Sequence, residues 1–345
     1  MDPRLQAALA ALPWPPAESK SQALRIAAAR GLMAGYHEHW KSSYWQTLAV
    51  RQTLHLPILH PVTNRRWPRW VFAVQPDGLL TYRDQTVVLK HHLVQESHSP
   101  GSSFWQRLHP DLNASRILLA TWLLGQRVYG VLYDVIRKPN YDPCQLNCLQ
   151  TIEVRRSSQW CGRTLSPEVY RGFCLDPQRQ ETPEMFEARL AQDACRRPHW
   201  YFSRFFAPLL PRELLTTALE LWQAMLELDR AQRNDDQRRN DDACFAERRP
   251  CEFLPLCTGR AQPTSPCYRR LDPPTTEQGD GAPTHYALTP ERLRTFQACR
   301  RQHHYRYELG LVSDRPALPP NLAILMRQAL AAWWNAPGLS SEQAA

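Results

Sequence analysis

The chain has 345 residues, of which 43% are hydrophobic and 22% charged, a balance that excludes wholesale disorder and a bundle of membrane helices and leaves room for two domains or one large one. Lysine and arginine number 42 against 33 acidic residues, a formal charge of +9, and lysine occurs only at Lys20, Lys41, Lys90 and Lys138. The charge is therefore arginine's, whose planar fork suits phosphate and a polyanionic partner, while glycine is scarce and no Walker or dinucleotide fingerprint is present.

The first fifty residues read as helical, with an interruption at Pro13–Pro16. Ala23–Tyr44 carries Leu24, Ala27, Ala28, Leu32, Tyr36 and Trp40 at helical spacing. From Arg51 the period shortens, and Leu54–Leu59, Trp70–Gln75, Leu79–Tyr82 and Thr86–Lys90 read as strands parted by turn residues such as Pro76-Asp77-Gly78. A helix follows at Asn113–Leu124, then the apolar run Val128–Ile136, which suits a central strand. Thr182-Pro183 and Pro211 open further helices. Arg233–Asp242 reads as a solvated loop and Thr258–Pro283 as a linker, after which Thr289-Pro290 starts a helix to about Tyr307 and Asn321–Trp334 forms the last. Strands, a helix, a central strand and then helices make an α/β protein.

Taken alone, the polar residues have ordinary explanations. Pro76-Asp77-Gly78 is a serviceable β-turn, Lys90 ends a strand as edge lysines do, and Asp111 suits a helix N-cap. His91 and His92 point to opposite faces of a strand and cannot easily share an ion.

Several stretches together resemble the RecB-like PD-(D/E)XK nucleases of phage, recombination and CRISPR-associated proteins. They are Phe72–Gly78, Thr86–Lys90, Asp111-Leu112-Asn113, Gly130–Pro139, Glu181–Phe186, Cys244 with Cys251–Cys257, and Leu288-Thr289-Pro290 through Cys299 to Leu311. The last resembles a segment with which such proteins usually begin, as if the domain were permuted. The resemblance implies a restriction-endonuclease-like mixed sheet flanked by helices, with a cysteine-rich helical addition. It implies a nuclease-like core over 14–257, a linker over 258–283 and C-terminal helices over 284–336 that pack back on the core.

In that family an Asp and a Glu hold Mg²⁺ at the scissile phosphate and a Lys orients the water. The Asp matches Asp77 and the Lys matches Lys90, but the second acid matches Val88. The upstream glutamate matches Arg51, the helix glutamine and tyrosine match Asn113 and Ile117, and a later glycine and histidine match Ala323 and Arg327. Asp84 lies roughly 13 Å along the strand from Val88 and cannot replace the lost acid, which leaves Glu96 or Asp111 as candidates to move in. Cys244, Cys251, Cys257 and Cys299 resemble the ligands of a [4Fe–4S] cluster, with zinc or inert thiols as alternatives.

Arg51, Arg66 and Arg69, with Trp67 and Trp70 interleaved, and Asn113 are the candidate DNA contacts. Met1-Asp2-Pro3-Arg4 does not open a secretory signal, so a cytoplasmic site without a membrane partner is expected, with the ten cysteines as thiols or metal ligands. The sequence thus points to a DNA-binding protein impaired as a nuclease, a subunit of a DNA-processing or phage-defence complex. The alternatives are an active Mg²⁺-dependent exonuclease with a relocated acid and a non-catalytic assembly module.

Overall fold

The computed structural model describes residues 1–13, 20–43, 45–82, 85–98, 101–108, 111–139, 159–160, 163–164, 182–245, 250–271, 275–276, 285–314 and 320–337. In chain order these include α1 (Pro3–Ala10), α2 (Lys20–Trp40), β1 (Gln46–Val50), β2 (Leu54–Leu59), β3 (Arg66–Val74), β4 (Gly78–Tyr82), β5 (Gln85–Val94), α3 (Ser103–Leu108), α4 (Leu112–Leu123) and β6 (Val128–Arg137). Then follow α5 (Pro183–Arg196), β7 (Phe202–Pro208), α6 (Pro211–Arg233), β8 (Tyr268–Arg270), β9 (His285–Leu288), α7 (Pro290–Ala298), β10 (Leu311–Ser313) and α8 (Leu322–Asn335).

The main sheet has the order β1-β4-β5-β6-β7 and is antiparallel except between β5 and β6. The uninterrupted apolar run of β6 makes it buried on both faces, as a central strand requires. On one face Leu80, Val87, Leu89, Leu132 and Ile136 pack with apolar residues of α2, α5 and α8. On the other, Leu79, Val88, Val131 and Val135 pack with α4, α6, α7 and a second sheet. That second sheet pairs β2 with β3, and β3 with β9 in parallel. The protein is therefore α/β, a mixed sheet flanked by helices on both faces.

Local chemistry starts the helices where it should. Asp111, Thr182, Thr289 and Asn321 each accept a hydrogen bond from a first-turn backbone N–H of α4, α5, α7 and α8, with a proline opening α5 and α7. The tightest helix contact is α2 against α5. A Cβ at Gly35 would lie 2.4 Å from the Ala194 Cβ, and one at Gly31 would lie 2.7 Å from the Glu187 carbonyl oxygen, so the two glycines let the backbones approach. Arg30 seals the same junction, donating to Glu187 at 2.9 Å and to the carbonyls of Leu9 and Leu12 at 3.0 Å each.

The structure departs from the sequence reading in several places. Gln46–Val50, read within a helical region, is the edge strand β1, because the helical period stops at Trp40 and pairing with β4 decides the rest. Phe202–Pro208 forms the opposite edge, β7. The stretch read as a linker includes a built part: β8 pairs with β10, and Tyr268 joins Phe253, Leu256 and Leu311 in a small core. The loop after α6 is not simply solvated, since Asn240 donates to the Ala298 carbonyl at 2.9 Å and Arg301 to that of Gln237 at 3.0 Å.

The helix begun at Pro290 breaks at Cys299, whose backbone is extended, before a second turn, Arg300–His303, and a π-helical turn, His304–Glu308. Cys195 is disulfide-bonded, which corrects the expectation that every cysteine is a thiol or ligand; pairing cannot be read from cysteine spacing. Among the described residues no helix is long and apolar enough to cross a membrane.

Candidate nuclease-like and cysteine sites

The pairing of β4 with β5 sets the first site. Asp77 immediately precedes β4, Gly78 lies opposite Leu89, and Leu79 lies opposite Val88. The Asp77 carboxylate accepts from the His91 backbone N–H at 2.9 Å, and its other oxygen lies 3.7 Å from the Arg327 guanidinium on α8. Val88 is fully buried, in the apolar core shared with Leu79 and Val131. Two positions on, Lys90 Nζ donates to Asp111 Oδ2 at 2.5 Å.

Asp111 is heavily used. Its Oδ1 accepts from the backbone N–H groups of Asn113 and Ala114 at 3.2 Å each, capping α4, while His92 Nε2 lies 3.8 Å from Oδ2. Burial opposes its charge, but the nearby His92 ring, the Lys90 ammonium and the Ala114 backbone N–H outweigh it and hold the carboxyl well below the usual range. Burial and the neighbouring Asp111 push the Tyr133 hydroxyl up, and Tyr133 lies opposite Lys90 in the sheet. Asn113 Oδ1 is buried with no hydrogen-bond partner among the described residues. Glu96 pairs instead with Arg107 on the surface.

His91 does face away from His92, as the alternation of a strand demands. It joins a network on the opposite face that the sequence did not suggest. Its Nδ1 lies 3.0 Å from Asp134 Oδ2, Tyr36 donates to the same oxygen at 2.5 Å, and Arg204 Nε donates to Oδ1 at 3.1 Å. Arg204 also donates to the Tyr36 hydroxyl and to Ser43 Oγ, each at 2.9 Å. Burial disfavours a charged Asp134, yet the Arg204 charge pulls its pKa down to about 2. The available signal was Asp134 itself, one acid in an apolar strand, which must be paired when buried.

Cys244, Cys251, Cys257 and Cys299 line one cavity of about 180 Å³. Cys244 ends a short 3₁₀ turn, Cys257 ends a helical turn, and Cys299 arrives at the break after α7. The Cys251 N–H donates to the Cys244 carbonyl at 2.8 Å. Burial pushes the Cys251 and Cys257 thiols up, and the other three cysteines of the set add to the shift at Cys257. Among the described residues, no three or more His, Cys, Asp or Glu side chains are placed to hold a single metal ion.

The candidate DNA contacts are not gathered in one place. Arg51 follows β1 near the Leu54–Val74 end of the β2–β3 hairpin, whereas Arg66 pairs with Leu59 at the other end, about 25 Å away along the strand. Arg66 is exposed, the Arg69 side chain lies outside the described residues, and Asn113 sits beside Asp111. Trp67 and Trp70, expected as stacking surfaces, are buried core residues with 8% and 6% exposure. Their bulk closes the space between β3 and its neighbours.

No family model, no curated protein and no solved structure matches this chain.

Proposed function

We propose that this protein is a DNA-binding relative of the RecB-like PD-(D/E)XK nucleases that no longer cleaves DNA. The observation that carries this is the state of the two surviving motif residues: Asp77 faces Arg327, and Lys90 is held by Asp111, with Val88 buried where the second acid belongs. The preceding strand β1, Asp77 at the start of β4, Lys90 on β5 and the following helix α4 succeed one another as the resemblance implies, which supports the fold reading. Mg²⁺ needs several oxygen ligands, and one carboxylate opposite a guanidinium does not fit it.

A specific contact favours a second reading, an active exonuclease in which Asp111 replaces the lost acid. Asp111 does reach Lys90, but its oxygens are already occupied by two backbone donors and that lysine. The impaired reading is therefore preferred. The exposed Trp122 and Leu215 beside an apolar groove of about 740 Å³ support a protein partner in a DNA-processing complex.

At the cysteine cavity a [4Fe–4S] cluster is preferred to zinc, since a zinc ion needs all four sulfurs about 2.3 Å from one point and no group so placed is present among the described residues. Cys244, Cys251, Cys257 and Cys299 would hold it. Such a cluster supplies four iron–thiolate bonds and a redox couple. The cysteines themselves tie the region after α6 to the break after α7.

The test is paired. Linear duplex and single-stranded DNA should survive Mg²⁺ or Mn²⁺ with the protein, while binding should fall steeply between ~50 and ~200 mM salt. Robust cleavage abolished by Asp77→Ala would establish the exonuclease; no binding at low salt would favour the assembly module.

A further inference from the structure

A second groove, of about 910 Å³, lies away from the Asp77–Lys90 site, between the start of β3, the C-terminal half of α6 and the turn His304–Glu308. Arg292 forms its buried wall, with only 4% exposure. Its Nε donates to His303 Nε2 at 3.2 Å and its Nη1 to the Ala287 carbonyl at 3.4 Å. The guanidinium carbon sits 4.5 Å from the Trp70 ring and 5.2 Å from the Tyr307 ring.

Among the described residues no carboxylate comes within 4.0 Å of Arg292. The two acids that line the groove are committed elsewhere: Asp229 to Arg233 at 2.7 Å, and Glu308 to His304 at 2.7 Å and His303 at 3.4 Å. Burial draws the Arg292 pKa down to about 10, so it stays cationic at neutral pH. A buried cation with no carboxylate in direct contact is costly, and Glu308, acting from further off, offsets only part of the burial. The flanking rings offset part of the cost but bring no net negative charge.

The rest of the groove offers flat aromatic faces and an exposed arginine, Arg65. Tyr286 is 41% exposed and packs against Trp70 at 5.5 Å between ring centroids. Trp222 is half-buried and held edge-on by Trp67 at 4.8 Å and His60 at 5.0 Å, which makes it a stiff platform. Arg65 is exposed at the mouth. Aromatic faces can stack only on bases whose own faces are free, as in a single strand, and the arginines follow the phosphates.

We propose that this groove is the binding site for a single strand of nucleic acid, with Arg292 meeting a phosphate and Tyr286 and Trp222 stacking on bases. It rests on the DNA-binding reading for the class of ligand, but it places the contact away from the nuclease-like residues and at side chains that no motif marks.

The experiment measures fluorescence anisotropy of labelled dT12 and of a duplex of equal length with the full chain, at ~50 mM salt. Tyr286→Ala and Arg65→Glu change exposed side chains and should fold; Arg292→Gln is checked by circular dichroism, and the two surface variants carry the test if it unfolds. Loss of one stacked base corresponds to about 5- to 150-fold in affinity. Tyr286→Ala should therefore weaken dT12 binding at least about fivefold, Arg65→Glu and Arg292→Gln should weaken it too, and duplex binding should change less. Unchanged dT12 affinity in the variants, with the wild type binding DNA, overturns the groove and leaves the DNA-binding reading standing. Failure of the wild type to bind either DNA sinks both. Binding of dTMP as tight as dT12 would assign a free nucleotide and overturn the strand.

Discussion

The proposed nuclease relationship puts Val88 where that family carries an acid, and Val88→Glu tests whether that one position accounts for the proposed loss of cleavage. Val88 is 0% exposed and lies between Leu79 of β4 and Val131 of β6. Removing the valine from that core costs about 1.5–2 kcal/mol. A glutamate placed there must then either ionise without water or remain protonated with its pKa raised by about 3 units, which at neutral pH costs roughly another 4 kcal/mol. Lys90 lies on the same face about 7 Å along the strand, but Asp111 already holds it. The sum is about 6 kcal/mol. With an unfolding entropy near 2.1 cal/mol/K per residue, or about 0.7 kcal/mol/K for the chain, Tm should fall by roughly 8 °C. Added Mg²⁺ should not restore it, and no cleavage should appear. The assay is a thermal melt by circular dichroism with and without Mg²⁺, beside a nuclease assay and a Val88→Thr control. A near-wild-type melt together with Mg²⁺-dependent cleavage would refute the reasoning, because it would show that the core accepts the acid and that Asp77 can be drawn from Arg327.

Three further outcomes are expected. Arg204→Met leaves the buried Asp134 carboxylate without its cationic arginine partner, with only Tyr36 and His91 beside it, and should cost about 3–5 kcal/mol, measured by urea denaturation. Because the folded pKa of Asp134 lies below its unfolded value, its contribution of about 2 kcal/mol is present above pH ~4 and disappears as pH falls toward 2; the wild type should lose stability over that window and Asp134→Asn should lose less. Protein purified without oxygen should be brown and carry about four irons per chain, and Cys299→Ser should lose the colour and most of the iron; colourless wild-type protein without bound metal would reduce the cysteines to packing.

What the sequence made legible follows from range. Caps and prolines act within one turn, so the starts of α5, α7 and α8 could be read at Thr182, Thr289 and Asn321. The apolar run of β6 likewise announced a central strand. Edge strands β1 and β7 carry weaker patterns, and their identity depends on partners supplied elsewhere in the chain. The meeting of Asp134 with Tyr36 and Arg204 spans 98 and 70 residues, and no local rule reports it. Arg327 looked like a departure from a histidine, yet its role opposite Asp77 appears only once α8 is docked. The four cysteines could be grouped by resemblance, but the extended break that delivers Cys299 could not, since no proline or glycine marks it between Glu291 and Glu308. Trp67 and Trp70 misled for the opposite reason, because interleaving with arginine also suits a buried strand whose exposed neighbours are charged.

The docking of α8 sets an order on the making of this protein. Leu325, Met326, Ala329, Leu330 and Trp333 share a core with Ala8, Leu12, Leu32 and Tyr36, about 300 positions earlier in the chain. At 5–20 residues per second a ribosome needs roughly 15–60 s to cover that distance. Throughout that interval the helices made first must wait with one apolar side unmatched, within reach of other nascent chains. Lower temperature lengthens the wait while weakening hydrophobic association, and apolar surface left open for that long is where an incomplete chain is prone to aggregate.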